Sequence, residues 1–454
     1  MAKIVPQVTT TPRSGATDSK RLSRRKVLRA TGGLGAVGAT TLIPRHAGAA
    51  PTRAPFIVRQ RYQDQITIEV WDQQQSDKNI QDAYNAALTA FQQANPGVTV
   101  KVTTFPYAQY RDKLLVAVRG GTGPDVMSLD EIWTPEFAAA GVIEPLDDLI
   151  AASTAVKPEI FFQGAWDTNL YQGKIWGVPL NFDVWMQMYY NADMYSAAGL
   201  DPNAPPKTWD EWLTVAETLT KAPNQFGIGI IGHKGEDMTV MLNSLMYSNG
   251  GKVIDDEGKA VINSPENVET LTFFKNLAQY APEGVANTGE AECVAAFVAG
   301  QVAMILDGSW QQDTMNAQAK FDWRIAVPPA PAGKSYVGAL GGWNYAINKG
   351  SKNKEAAFKL IEYLSTQKEV QKTINSLTPA MREAGEEFVR EKRKQPEVIL
   401  ETLNSGRPRP ISPVYPQISD VEQNMVQAIW AGTPVEDALK DAQAQIEEIL
   451  TQLG

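Results

Sequence analysis

The chain has 454 residues, with 42 Lys or Arg against 51 Asp or Glu, two His and one Cys. So few sulfur and imidazole groups exclude an intrachain disulfide and any His/Cys metal cluster, and the formal charge of −9 argues against binding a phosphate backbone, which needs clustered positive charge. The length exceeds what one hydrophobic core usually organises, so two lobes are expected.

The first segment to read is Ser23-Arg24-Arg25-Lys26-Val27-Leu28-Arg29, followed by an apolar, glycine-rich run from Ala30 to Ile43 and by Ala47-Gly48-Ala49. A basic stretch, a short apolar run and a small-residue cleavage site make an export leader of twin-arginine type, and the run falls short of the ~20 apolar residues a membrane span needs. A basic tail before a buried helix is the alternative reading. Residues 1–49 are thus expected to be a signal peptide and 50–63, rich in Pro, Arg and Gln, a flexible lead-in. The 405 residues after Ala49 carry a formal charge of −17 and retain one histidine, His233, and one cysteine, Cys293. His233 lies in the loop-like Ile230-Ile231-Gly232-His233-Lys234-Gly235 and reads as a surface or capping residue rather than a catalytic base. Cys293 follows a helix-like Glu290-Ala291-Glu292 and reads as a small packed residue, too distant from the leader to carry a lipid anchor. Gly333-Lys334-Ser335 resembles the end of a phosphate loop, but Pro328 stands where the loop needs its first glycine.

Order is expected to begin at Ile66-Thr67-Ile68-Glu69-Val70-Trp71, a β-branched run with period-2 alternation. Ile80, Ala83, Tyr84, Ala87, Leu88 and Phe91 then recur at helical spacing, Asn95-Pro96-Gly97 ends the helix, and Val98 to Val102 forms a second strand. A glycine-rich turn at residues 120–124 leads into a third strand ending at Asp130. This alternation implies an α/β protein with a mainly parallel sheet and ligands at the carboxyl ends of its strands. Further along, Thr208 with Glu211 forms a capping box, and Thr433-Pro434-Val435-Glu436 forms a second with proline at the first helical position. The last helix buries Ala438, Leu439, Ala442, Ile446 and Leu450. Residues 252–262 read as a hairpin whose acidic tip lacks the alternating spacing of a calcium loop.

Several blocks follow one another in a recognisable order: Phe91 to Val100 with its Asn95-Pro96-Gly97; Gly123-Pro124-Asp125-Val126 through Asp130, then Gly141-Val142-Ile143 and Pro145-Leu146-Asp147; and Gly173 to Pro179, closing on Tyr189-Tyr190-Asn191. Phe297 to Met304, Gly341-Gly342-Trp343 and Ala438 to Gln443 complete the set. Together they resemble the family 1 extracellular solute-binding proteins, the sugar receptors of bacterial ABC importers, and within them the trehalose/maltose-binding proteins. The resemblance implies a type II periplasmic-binding-protein fold, two α/β lobes joined by a multi-segment hinge, with residues 64–179 and 341–379 in the first lobe and 180–340 and 380–454 in the second. It implies a monomeric, exported receptor that captures a di- or oligosaccharide in the cleft and hands it to membrane permease subunits, with no enzymatic activity, no cofactor, no metal and no nucleic-acid partner; without a lipid-bearing cysteine it is expected in a periplasm or otherwise outside the cytoplasm, with an uncleaved leader acting as an anchor as the alternative. A secreted glycosidase using Asp130 and Asp183, or the same fold binding a glycerol phosphodiester, are the alternatives.

A sugar offers apolar C–H faces and a rim of hydroxyls, so its site needs flat aromatic platforms edged by carboxylates, amides and arginines. Trp310 in Gly308-Ser309-Trp310, and Gly342 and Trp343 in Gly341-Gly342-Trp343, are implied as sugar contacts by the resemblance. Asp130, just before Trp133, is implied as a sugar-binding carboxylate, and it also reads as an N-cap for the helix that follows. Asn181 and Asp183 lie past Pro179, where the chain is expected to cross between lobes, although the subfamily places an aromatic residue where Asn181 stands. Arg409 aligns with a cleft arginine, with Arg407 as the alternative, and Trp71, Gln75 and Tyr107 complete the candidate set.

Overall fold

The computed structural model describes residues 65–73 and 77–452, together with the backbone but not the side chain of Ala108. The leader, the lead-in and Gln75 lie outside the described residues. The first strand, β1 (Ile66–Gln73), pairs in parallel along its whole length with β2 (Val98–Phe105). Between them runs α1 (Lys78–Ala94), started by Asp77, whose carboxylate accepts the Asn79 N–H at 2.7 Å, and stopped at Asn95-Pro96-Gly97, where Gly97 takes φ 96°. Helix α2 (Tyr107–Arg119) returns the chain to β3 (Val126–Asp130), buried at every residue as befits a strand with neighbours on both sides.

A short hairpin of β4 (Leu170–Tyr171) and β5 (Lys174–Ile175) precedes β6 (Val178–Trp185). Strand β7 (Gln187–Asn191) pairs antiparallel with both β8 (Met304–Asp307) and β9 (Trp323–Ala326), giving a smaller sheet of order β8-β7-β9. The chain then re-enters the larger sheet as β10 (Ala339–Ile347), and β11 (Thr378–Pro379) closes its edge in the order β11-β6-β10-β3-β1-β2.

The expectation of a mainly parallel sheet is corrected. Only β1, β2 and β3 run parallel, because β10 returns from the smaller sheet and inserts antiparallel between β3 and β6. Strand β6 carries Asn181 and Asp183 within the larger sheet, and the chain hands over to the smaller one at Met186, which adopts φ 106°. The Tyr336 hydroxyl donates to the Met186 carbonyl at 3.0 Å and fixes this turn of the backbone.

The Thr208 box forms: its hydroxyl accepts the Glu211 N–H at 3.3 Å and Glu211 accepts the Thr208 N–H at 3.1 Å. The second box does not form. The Thr433 N–H is bonded to Ala428 O at 3.0 Å, so Thr433 completes the end of the preceding helix, Pro434 takes the cap position and the last helix begins at Val435. That helix buries Val435, Ala438, Leu439, Ala442 and Ile446, with Leu450 half-buried. At the 252–262 turn, Ile254 bridges Ala260 and the Asp255 carboxylate accepts the Glu257 and Lys259 N–H groups, with Lys252 and Lys259 neutralising the acidic tip. Among the described residues no helix is long and apolar enough to cross a membrane.

Candidate functional site

Strand register assembles the site. Trp343 on β10 stands opposite Asp130 on β3 and opposite Asn181 on β6, and residues paired directly across strands share a face, so the three form one row over the middle of the larger sheet. In the next row Gly341 faces Asp183. Two glycines in succession on β10 have a steric reason. A Cβ at Gly342 would lie 2.3 Å from Asn181 O and 2.7 Å from Phe182 Cα, and one at Gly341 would lie 2.3 Å from Nε1 of Trp185, whose ring covers the strand there.

Rings surround the Asp130 end of this row. Tyr107 stacks on Trp133 with centroids 5.5 Å apart, and both meet Trp343 edge to face at 6.1 and 5.8 Å. Tyr110 closes the group from beneath, 6.3 Å from Trp343, and its hydroxyl donates to Trp71 O and Ser128 O. Trp71 packs half-buried on Phe105 at 4.8 Å. Tyr107, exposed to 41%, donates its hydroxyl to Asp130 Oδ2 at 3.0 Å and presents a ring to solvent.

Asp130 takes the cap position read for it. Its Oδ1 accepts the Ile132 N–H at 3.4 Å as the cap of the turn Glu131–Trp133, and it lies 3.5 Å from Arg409 Nη2. Arg409 is buried and fully engaged: Nη2 also reaches Glu131 at 3.4 Å, Nη1 donates to Glu236 at 2.7 Å and Nε to Leu340 O at 3.1 Å. Glu236 opens the helix Glu236–Ser248, where the helix dipole favours a carboxylate, and accepts the hydroxyls of Tyr415 and Ser419. Three carboxylates thus share one guanidinium. Burial pushes Glu131 up to about 7 and raises Asp130 as well, with Arg409 opposing in both cases. Arg407 is exposed and makes backbone bonds, to Gly338 O and from Leu340 N–H, whereas Arg409 is the arginine that meets Asp130 and Glu131.

Asp183 is completely buried, accepts the Ser309 hydroxyl and leaves its other oxygen without a protein partner; burial pushes its carboxyl up to about 6 against the pull of the Ser309 bond. Trp310 donates Nε1 to Glu290 at 3.1 Å, and its ring meets Trp185 at 4.7 Å. The absence of a side chain at Gly308 makes room for this ring, since a Cβ there would fall 1.8 Å from the Trp310 ring and displace it. Register and contact therefore join Asp130, Trp133, Asn181, Gly342, Trp343, Tyr107 and Arg409 around the central row, while Trp310 forms a second aromatic group with Trp185 on the Asp183 side. His233 accepts no such role: its Nε2 pairs with Asp237 four residues on, at 2.7 Å. Cys293 is buried within the helix Glu290–Val298, and burial pushes its thiol well up. Sequence reasoning missed Glu131, Trp185, Glu236, Tyr415 and Ser419. Trp185, two residues beyond Asp183 in the same alternating run, carried a usable signal; the others did not.

A family model described as bacterial extracellular solute-binding protein matches residues 77–371. Among solved structures, the chain is similar to an ABC transporter solute-binding protein from Thermotoga lettingae bound with alpha-D-tagatose, at 30% identity and TM-score 0.73, covering 85% of this chain and 100% of that one. It is similar to maltose-bound MalE3 of T. maritima at 29% identity and TM-score 0.71, covering 86% and 100%. The maltotriose-binding protein of Pyrococcus abyssi is 27% identical over 350 residues, 74% of this chain and 70% of that one.

Proposed function

The chain belongs to the bacterial extracellular solute-binding proteins, which bind a solute for an ABC transporter and do not transform it, and we propose that its solute is a carbohydrate, a di- or oligosaccharide, held against the row Asp130, Trp343 and Asn181. The observation that carries this reading is the aromatic group formed by exposed Tyr107 with the buried rings of Trp133 and Trp343, edged by the Asp130 carboxylate. Rings supply platforms for C–H faces, and a carboxylate and amides at their margin accept hydroxyls. The tagatose- and maltose-bound structures support a sugar. The glycerol phosphodiester alternative is disfavoured by charge, because Asp130, Glu131 and Glu236 already outnumber the single Arg409 beside them. In this reading the larger and smaller sheets are the cores of the two lobes, Met186 is one of the crossings, and the sugar favours the closed arrangement because only there do both lobes touch it. The receptor acts as an exported monomer in the periplasm and passes its sugar to permease subunits.

A thermal-shift screen of the chain against mono-, di- and oligosaccharides, glycerol phosphates and polyamines tests the reading. Native-state binding raises apparent stability by ~2.7 kcal/mol at one hundred times Kd. Stabilisation by a sugar, at one mole per mole and without release of reducing ends, is expected; a shift with phosphates or amines alone would overturn it. Trp343→Ala and Asp130→Ala are expected to weaken the sugar by ~1–3 kcal/mol, roughly 5- to 150-fold, with circular dichroism unchanged. Unaltered affinity in both would remove the assignment of this row.

A further inference from the structure

The backbone before Trp310 is fixed by three hydrogen bonds: the Asp307 carboxylate accepts the Gly308 N–H at 2.7 Å, the Tyr189 hydroxyl donates to Gly308 O at 2.7 Å, and the Ser309 hydroxyl donates to Asp183. The indole itself is half-buried, lying over Gly308 and against Trp185 with centroids 4.7 Å apart and planes at 60°. Apolar contact is non-directional, so neither neighbour fixes the angle of the ring. Its directional contact is Nε1–H, a donor only, which meets Glu290 Oε1 at 3.1 Å; the same oxygen accepts Gln311 Nε2 at 2.8 Å. Water satisfies a half-buried indole N–H nearly as well, so what a protein carboxylate adds here is a fixed direction.

Glu290 is held in its turn. It opens the helix Glu290–Val298, where the helix dipole favours a carboxylate, and its own N–H donates to Asp237 Oδ2 at 3.2 Å. Asp237 is the residue paired with His233. On the interior side, Asp307 is buried and its Oδ2 has no protein partner; burial, and after it the Glu290 charge, pushes this carboxyl well above the usual range. Asp307 therefore keeps a proton that its unpartnered oxygen can donate to Glu290.

We propose that Glu290 is the positioning residue of Trp310: it sets the plane of the ring that meets the solute and does not touch the solute itself. The assignment rests on the carbohydrate reading, in which Trp310 is a platform for a sugar face, and adds the group that orients that platform. A ring held at one angle has less freedom to lose on binding, so the bond raises affinity by pre-organisation.

Two indoles as close as Trp185 and Trp310 couple in far-ultraviolet circular dichroism, which reads the ring geometry. Isothermal titration of the full chain with maltose, maltotriose and D-tagatose reads the affinity. The variants are Glu290→Leu, which removes the acceptor, Glu290→Gln, which keeps an acceptor oxygen, and Trp310→Phe, which lacks the N–H and defines the coupled band by difference. Glu290→Leu is expected to lose the band and, for whichever of the three sugars binds, roughly two- to tenfold in affinity, the worth of one pre-ordered side chain. Glu290→Gln is expected to restore both, and Glu290→Leu to cost nothing further in the Trp310→Phe background. If Glu290→Leu fails to fold, Glu290→Ala decides, because Glu290 is half-buried and alanine suits a helix. An unchanged band or unchanged affinity would overturn the positioning role. So would a loss of affinity that persists in the Trp310→Phe background, which would make Glu290 a direct contact. Binding of none of the three sugars by the unaltered chain would overturn the carbohydrate reading and this role with it.

Discussion

Asp183 illustrates how burial tunes a single residue. An unfolded aspartate ionises near 3.8 and the buried one near 6, so between these values the folded chain keeps a proton that the unfolded chain has released. Stability therefore falls as pH rises through this window, and the loss is complete above it. Asp183→Asn removes the contribution: its stability relative to the unaltered chain is expected to improve by up to about 3 kcal/mol between about pH 4 and pH 6.5, read from urea midpoints at both values. A difference that does not vary with pH would show that Asp183 titrates normally. Asp130 was legible in the sequence because it closes an apolar strand, and its cap reading holds: one carboxylate oxygen caps the turn and meets Arg409 while the other accepts Tyr107. The partners of Arg409 were not legible. Glu236 lies 173 positions away, and no local pattern of charge reveals a contact made only when two remote helices and a strand end converge.

At the scale of elements, the Gly341-Gly342 step governs how closely β6 and β10 approach. Gly342→Ala places a methyl against the backbone of Asn181 and Phe182, where no side-chain rotation relieves it, and is expected to cost about 1–3 kcal/mol in urea unfolding. Gly350→Ala, whose Cβ would meet nothing nearer than Asn348 Oδ1 at 3.4 Å, serves as the comparison and is expected to change stability far less. Equal effects would remove the close approach as the reason for glycine at 342. Periodicity located β1, α1, β2 and β3 to within a few residues, because period 2 and period 3.6 are written in the apolar positions themselves. It could not disclose that β10 runs antiparallel, since alternation is the same in either direction and the partner strands are remote. The cap at Thr433 was misread for a related reason: the same Thr-Pro step that can open a helix here finishes the previous one.

Across the whole molecule, length and block order anticipated an α/β fold with more than one crossing, and the sheets bear out the class while fixing the handover at Met186, inside a segment whose alternation gives no hint of a change of sheet. The interleaving has a further consequence for how the protein comes into being. Strand β10 lies between β3 and β6, yet it is made only after about three quarters of the chain, so β1 to β3 and β6 wait as separate pieces through the synthesis of more than 150 residues. Contacts of such sequence separation form late and slowly. A chain ending at residue 338 is therefore expected to remain open to trypsin throughout β1 to β3, whereas the full chain resists; protection of those strands in the shortened chain would show that they close without their central partner. Receptors built in this way leave the ribosome with their principal sheet still unfinished until near the end of translation, which extends the interval in which a nascent chain depends on chaperones before it can capture anything at all.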